Sequence, residues 1–500
     1  MKNILTSTLA MFLAAAACFT SNAETLTLTP GSISAGIAAD AAPAELIIKG
    51  EIDIRDFDYI RDNFWRTLRT LDLSEARIAA YEGVPTLTGV SKSEADVLPD
   101  GALMLGSLTE VTLPATLKAI GDGALASTAV KEIVIPATVE KIGTSAFANC
   151  NSLESVVLPA AVNALGVNAF ADCGTLKSAD LSAAALQEVP ADAFARCAAL
   201  ADVTLPSVAE IGASAFAGCK ALTAMEFPKS LKKIDEKAFY GSGLAAADLA
   251  GCPALGEIGA WSFAVCGDLT SATFPESLKE LGTGAFYSAS ALTLGELPPV
   301  ARLSDLSLAA IGGTADASLT LPEGIEIGDY AMSGWKGVQL LTLPETTGRI
   351  GTEAMAGWTA LATIDGLNAV EVPLLGEEVW KGIDPSEVLL RVYDTKADDF
   401  KAADQWKDFR FDVVTGVDDA AADGAGRLRA WFEGMTLNVE APLEIAAMEI
   451  YDVEGRRYSF PTIASEPTRR AVDTSAWGVR VLLVRVQLAD GSAAALKLAR

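Results

Sequence analysis

The chain has 500 residues, 38 Lys plus Arg against 65 Asp plus Glu, a formal net charge of -27 and no histidine. That charge repels a phosphate backbone over most of the surface, which argues against nucleic acid as a partner and fits the solubility of an exported protein. The missing histidine removes most zinc sites, the Ser-His-Asp triad and the Cys-His pair, so neither a metal nor a cofactor is implied.

Met1-Lys-Asn, an apolar run from Ile4 to Phe19 and Ser21-Asn-Ala23 make residues 1–23 a secretory signal peptide, cut after Ala23. Acylation at Cys18 is the lesser reading, because Ala15-Ala-Ala17 lacks the usual leucine. No later stretch reaches the roughly 18 apolar residues of a membrane span, so the mature chain is expected to be secreted or held at the outer cell surface. Residues 24–100 then read as leader, cap and first repeat. Within them 24–45 look irregular, Leu46 to Gly50 is a strand, and Phe57, Ile60 and Phe64 share a helical face. Leu68-Arg-Thr-Leu-Asp-Leu73 opens the repeat, and a longer loop from Arg77 to Asp100 interrupts it.

From Gly101 to about Pro385 one sentence recurs: L-x-x-(I/V)-x-L-P, then x-x-(I/L)-G-x-x-A-F-x-x-C. Its aromatic slot holds Leu103, Leu125, Phe147, Phe170, Phe194, Phe216, Phe239, Phe263, Phe286, Met332, Met355 and Trp380, in steps of 22 to 25 residues except for one double step that hides a degraded copy near Ala309. Such regularity means a solenoid, in which no copy buries its apolar side alone. In Leu108-Thr-Glu-Val-Thr-Leu-Pro114 the apolar residues alternate as in a half-buried strand, and Pro114 ends it for want of a donor. The glycines of Ile142-Gly143 and Ile211-Gly212 are expected to supply a turn conformation that a Cβ resists. The Phe side chains form a spine, each contributing roughly 2 to 3 kcal/mol of burial. The stretch 292–320, with Pro298-Pro299 and Gly312-Gly313, predicts a distorted copy or a bend.

The repeat resembles the BspA-like, Treponema-type family of bacterial surface leucine-rich repeats over residues 100–385. That likeness implies a β-rich leucine-rich-repeat solenoid of about a dozen coils with little helix, and adhesion to host or bacterial macromolecules as its work. The block from Leu46 to Ile78 is similar to the opening cap of Bacteroidetes members, and 386–413, with Val388 to Tyr393 and Phe400 to Phe411, to the closing strand and helix.

An acidic, small-residue linker spans 414–426, and 427–500 read as a small antiparallel β-sandwich with strands at Met435 to Glu440, Ala446 to Val453, Val479 to Leu488 and Ala493 to Leu498. Ile450-Tyr-Asp-Val-Glu-Gly-Arg456, Asp490-Gly491 and Lys497-Leu-Ala-Arg500 resemble the type A C-terminal sorting domain of the type IX (Por) secretion system. The chain departs from that pattern at Gly478 to Arg485, which carries extra residues and no Tyr where Gly-x-Tyr-x-(V/I)-(R/K) is usual.

Cys150, Cys173, Cys197, Cys219 and Cys266 share the slot three residues after the aromatic, and Cys252 stands apart. Equivalent slots stack at about 4.8 Å whereas a disulfide prefers Cβ atoms about 3.8 Å apart, so buried free thiols are expected. Thr128, Ser242, Ala289, Trp335 and Trp358 occupy the same slot, which marks it as a core position. With carboxylates scattered and no pair set apart by spacing, the chain reads as non-catalytic; a carboxylate-dependent hydrolase is the least favoured reading. Binding remains. The outward row of the main sheet reads Thr112, Val134, Val157, Asp180, Thr204, Glu226, Asp248, Thr273, Glu296, Thr320 and Thr342. Asp180, Asp202, Glu226 and Asp248 are its candidate contact residues, suited to a basic protein segment or a cation. Glycan capture is the alternative, and it requires exposed aromatics on the sheet.

Overall fold

A computed structural model describes residues 23–84, 91–314, 316–414, 429–433, 436–441, 443–452, 456–458, 462–475, 477, 481–489 and 493–499. The signal-peptide reading up to residue 22 and the linker beyond Val414 lie outside these residues. The chain parts into two compact units, the second comprising Arg391–Lys401 and everything from Phe411 on. No helix among the described residues is long and apolar enough to cross a membrane.

The first unit is the solenoid, and every coil has three faces. One is a stack of short parallel strands such as Ser155–Val157, Ser178–Asp180 and Asp202–Thr204, in register Val157↔Asp180↔Thr204. A second stack runs through Ala119–Ile120, Lys141–Ile142 and Ala164–Leu165, then from Glu188–Val189 through Glu210–Ile211, Lys233–Ile234 and Glu257–Ile258 to Glu280–Leu281. The third face is a turn that begins at the recurring Gly and carries the aromatic slot. Its amides bond to the next coil as a strand's do: Ser145, Phe147 and Asn149 donate to the carbonyls of Val167, Ala169 and Ala171.

From Gly123 on, two residues of each turn are left-handed, one two positions before the aromatic slot and one two positions after, as at Ser145 (φ 54) and Asn149 (φ 61). Small or polar residues suit these slots. The glycines of Ile142-Gly143 and Ile211-Gly212 do not occupy them, and their role differs from the one expected: a Cβ at Gly212 would stand 2.8 Å from the Val189 carbonyl oxygen, so it is the close approach of the preceding coil that demands glycine.

Inside, the rings of Phe147, Phe170, Phe194, Phe216, Phe239, Phe263 and Phe286 stack nearly parallel, with successive centroids 5.0 to 5.5 Å apart. Leu308, not Ala309, continues the spine through the irregular region, since Phe286 bonds to the carbonyl of Ser307 just as Phe263 does to that of Ala285. That region is a local distortion, with Thr293–Leu294 paired to Gly313–Thr314 and Arg302–Leu303 to Glu326–Ile327. At the far end Trp380 meets Trp406 and Phe409 edge-on at 5.4 and 5.3 Å, which closes the apolar column.

The slot three residues beyond the spine holds a buried donor. The thiols of Cys150, Cys173, Cys197, Cys219 and Cys266 point at the carbonyls of Leu125, Phe147, Phe170, Phe194 and Phe239 of the preceding coil, at 3.0 to 3.2 Å. The indoles of Trp335 and Trp358 donate to the equivalent carbonyls of Leu308 and Met332 at 2.7 and 2.8 Å. Thiol and indole thus do one job, satisfying a buried acceptor. The six cysteines among the described residues are free and buried.

The N-terminal end corrects one expectation. Residues 24–45 are not an irregular leader: Glu24–Leu28 is a strand parallel to Glu45–Ile52, and the sheet runs on through Thr70–Ile78 to Glu110–Thr112. Beyond that pairing, a buried carboxylate ties the segment after the first strand to the helix. Asp56, fully buried in the helix Ile54–Phe64, accepts amides from Gly31 at 2.7 Å, Ile33 at 3.0 Å and Asp53 at 3.0 Å. Asp53 in turn caps the helix, completing a reciprocal capping box.

In the second unit, Arg429–Glu433, Thr436–Glu440, Arg469–Asp473 and Thr462–Glu466 form one antiparallel sheet, and Arg457–Tyr458, Ile445–Asp452, Val481–Leu488 and Ala493–Ala499 another. Leu437, Val439, Ile445, Ile450, Val472, Leu482, Val484 and Val486 are buried together, as in a sandwich.

Burial pushes the Cys219 thiol up to about 12 from its ordinary 9.0. The folded state therefore keeps the proton while the unfolded chain loses it, so this group's stabilisation is complete below pH 9 and is lost as pH rises towards 12. Cys219→Ala should flatten the fall in urea stability between about pH 9 and 11 by about 1.4 kcal/mol per pH unit, and an unchanged slope would refute the burial argument. The native thiols should also resist an aqueous thiol reagent at pH 8 until the chain is unfolded.

Candidate binding surface

The structure separates the four acids expected to act together. Asp180 and Asp248 lie in the row of Thr204 and Thr273, whereas Asp202 stands opposite Ser178 in the neighbouring row. Glu226 is exposed on a segment, residues 222–228, that leaves the strand ladder, and Glu296 falls beyond the strand Thr293–Leu294.

Asp180 and Asp248 also have work of their own. Asp180 accepts the Ser182 amide at 2.9 Å and its hydroxyl at 2.6 Å. Asp72 and Asp365 accept the amides of Ser74 and Leu367 in the same way. Asp248 accepts the Thr273 hydroxyl at 2.6 Å, and that oxygen receives the Ala250 amide at 3.3 Å. These are the repeat coils in which no proline ends the strand: Ser74, Ser182, Ala250 and Leu367 stand where Pro159 or Pro206 stands elsewhere. Proline stops a strand by lacking an N–H, and where it is missing an aspartate takes up the N–H that remains, directly or through Thr273. That correlation is present in the sequence, and it explains two of the four acids structurally.

The rest of the outward row is mixed. Val134 and Val157 are 72% and 52% exposed, Thr204 and Thr273 are exposed, and no aromatic residue stands among them. Trp335 and Trp358 are fully buried, stacked at 5.8 Å, and Trp380 is buried in the spine slot. The second strand stack carries a charged row, Glu188, Glu210, Lys233, Glu257 and Glu280, in which Lys233 bridges Glu257 at 3.3 Å and Asp235 at 3.5 Å.

Aromatic side chains do reach the surface, but on the turn face. Tyr240 and Tyr330 are 40% and 38% exposed, Trp261, Tyr287 and Leu306 are half-buried, and Val265 is exposed. Trp261, Val265, Leu306 and Tyr330 occupy left-handed slots, at φ 58, 60, 57 and 59. A side chain there costs about 1 to 2 kcal/mol, and branching at Cβ adds to it. The indole of Trp261 lies across Gly284 of the next coil, where a Cβ would come within 2.7 Å of the ring, and meets Tyr287 edge-on at 5.5 Å. The sequence signal was the replacement of the usual Ser, Asn or Ala at these two offsets from the aromatic slot.

Among the described residues, no group of three or more Cys, Asp or Glu is placed to hold a metal ion. An open cleft of about 920 Å³ beside the closing turn is lined by Arg349, Leu374, Glu378, Asp404 and Gln405. Glu378 is paired to Lys381 at 2.9 Å and Asp404 to Lys407 at 2.8 Å, and Lys407 holds Asp404 below its usual range. A glycosidase acid needs the opposite shift.

Residues 104–199 and 187–303 match the family described as BspA type leucine rich repeat region, in six copies. No curated protein matches the chain. Among solved structures it is similar to a leucine-rich repeat protein from Bacteroides ovatus, at 21% identity over 71% of this chain and 86% of that one, with a TM-score of 0.55. A leucine rich cell surface protein from Faecalibacterium prausnitzii gives 22% identity over 56% and 86% of the two chains with a TM-score of 0.29. A leucine rich repeat protein of Treponema pallidum gives 23% over 41% and 80%, with a TM-score of 0.26. The first of these likenesses carries the fold: a leucine-rich-repeat β-solenoid.

If aspartate substitutes for proline as a strand stop, Asp180→Ala should lower stability by about 1 kcal/mol in urea. The double change Asp180→Thr with Ser182→Pro, which copies Thr204-Leu205-Pro206, should restore it. A double variant no more stable than Asp180→Ala would show that the carboxylate has another role.

Proposed function

We propose that this leucine-rich-repeat protein is a non-catalytic surface or secreted adhesion protein that captures a protein ligand on the host or on another bacterium. The observation that carries the reading is an extended array of outward side chains on stacked parallel strands with no closed pocket convergent on a reactive group among the described residues. Repeat proteins of this build use such surfaces for macromolecules. The BspA-type match over 104–303 points the same way. On this reading Asp202 and Glu226, exposed and free of the strand-stop role, are the sheet acids that meet ligand, with Asp180 and Asp248 beside them. The signal peptide ending at Ala23 and a sorting role for residues 427–500 complete the proposal, and both support export. Glycan capture stays the second reading, and the aromatics of the turn face are the observation that favours it.

The test is a solid-phase screen of the mature chain from Glu24 against extracellular-matrix proteins, mucins, surface proteins of partner bacteria and a glycan array. Saturable capture of a protein, weakened at least about fivefold by Asp202→Asn with Glu226→Gln, is the expected result. Capture confined to glycans, or none in any class, would overturn it.

A further inference from the structure

Along most of the turn face the two left-handed slots and the position just after the aromatic hold small or polar residues: Ser145, Asn168, Ser214, Asn149, Asp172, Gly218, Ala148, Ala171 and Ala195. Between Lys237 and Ser333 the same offsets hold Tyr240, Trp261, Val265, Tyr287, Leu306 and Tyr330. Successive coils are bonded directly here, Trp261 to Thr283, Gly284 to Asp305 and Leu306 to Asp329, so these side chains form one block, five coils deep and about 20 Å long. Nothing in the fold calls for them. The repeat accepts serine, glycine or alanine at each offset, four of the six (Trp261, Val265, Leu306 and Tyr330) sit in a backbone conformation that disfavours them, and all six side chains remain partly in water.

The net charge of the coils that carry the block indicates what covers it. From Lys233 to Tyr330 there are 13 acidic residues and 4 basic ones. Three of those bases are already engaged: Lys233 by Glu257, Lys237 by Glu236 at 2.5 Å, and Arg302 by Asp305 at 3.4 Å. Ring faces in a field of excess carboxylate attract an ammonium or guanidinium group, through the ring quadrupole and through the net negative potential. We propose that this block is a docking surface for an extended, arginine- or lysine-bearing segment of a partner protein, with Trp261, flat across Gly284, as the central platform. The inference rests on the reading of the chain as a protein-binding surface and adds a contact on the turn face to the one on the strand face.

The probe is a synthetic peptide of six alternating Arg-Gly pairs, titrated by calorimetry into the full mature chain in 150 mM salt, with a Glu-Gly peptide and neutral oligosaccharides as controls. The first variant is Trp261→Ser with Tyr330→Ser, which leaves net charge unchanged and places in both slots a residue the repeat uses elsewhere. The second is Glu188→Gln with Glu210→Gln, on the second strand stack. The expected result is saturable binding of the Arg-Gly peptide alone, at least tenfold weaker in the first variant, within about threefold of the parent in the second, and no drop in melting temperature for the first. Equal binding by the first variant and the parent would overturn the proposal, and so would no binding by the parent, equal losses in both variants, or oligosaccharide binding that depends on Trp261. If a protein ligand found by screening is lost by Asp202→Asn with Glu226→Gln and kept by Trp261→Ser with Tyr330→Ser, the adhesion reading survives and only this site falls.

Discussion

The close approach of one coil to the next is the constraint from which the rest of the first unit follows. Rings stacked 5.0 to 5.5 Å apart leave no room for a Cβ at Gly212 or Gly166, where it would fall within 2.8 and 2.4 Å of backbone atoms of the preceding coil. The same approach lets the turns bond to one another like strands, which is why two residues per turn adopt the left-handed conformation: it aims alternate amides, as at Ser145, Phe147 and Asn149, along the axis. A column of Phe in parallel stacking is then the filling that repeats at the same interval.

Such close stacking leaves polar groups that must be answered inside. The spine carbonyls take a thiol or an indole from the next coil, and one carboxylate, Asp56, takes three amides and ties the segment after the first strand to the helix. Strand ends are answered too, by proline where there is no N–H and by Asp72, Asp180, Asp248 or Asp365 where there is one. Cysteine and aspartate, the two residue types that first suggest chemistry in a chain without histidine, are therefore largely accounted for by hydrogen-bond satisfaction.

Functional information lies in what the repeat does not explain. A solenoid fixes its inward slots by volume and its turn slots by backbone conformation, so an outward residue that breaks the local preference has no packing reason to be there. Exposed valines at 134 and 157 are mild instances that strand preference covers. Trp261, Leu306 and Tyr330 in left-handed slots are stronger ones, because they run against both backbone preference and burial.

How much was legible in the sequence follows the same division. Period, spine, buried free thiols, buried tryptophans, the closing turn and four strands of the C-terminal sandwich could be read from residues alone, because each depends on a pattern repeated along the chain or on local alternation. The strand Glu24–Leu28 could not, since its order comes from parallel pairing with Glu45–Ile52, roughly 20 residues away. Nor could the real reason for the repeat glycines, which lies in the neighbouring coil, or the division of Asp180 and Asp202 between two rows, which is set by cross-coil register. The sequence by itself determined that the chain stacks coils and what fills them. Only the tertiary structure decided which side chains meet across coils, because contacts between copies depend on register and side-chain direction, and neither is contained in the period.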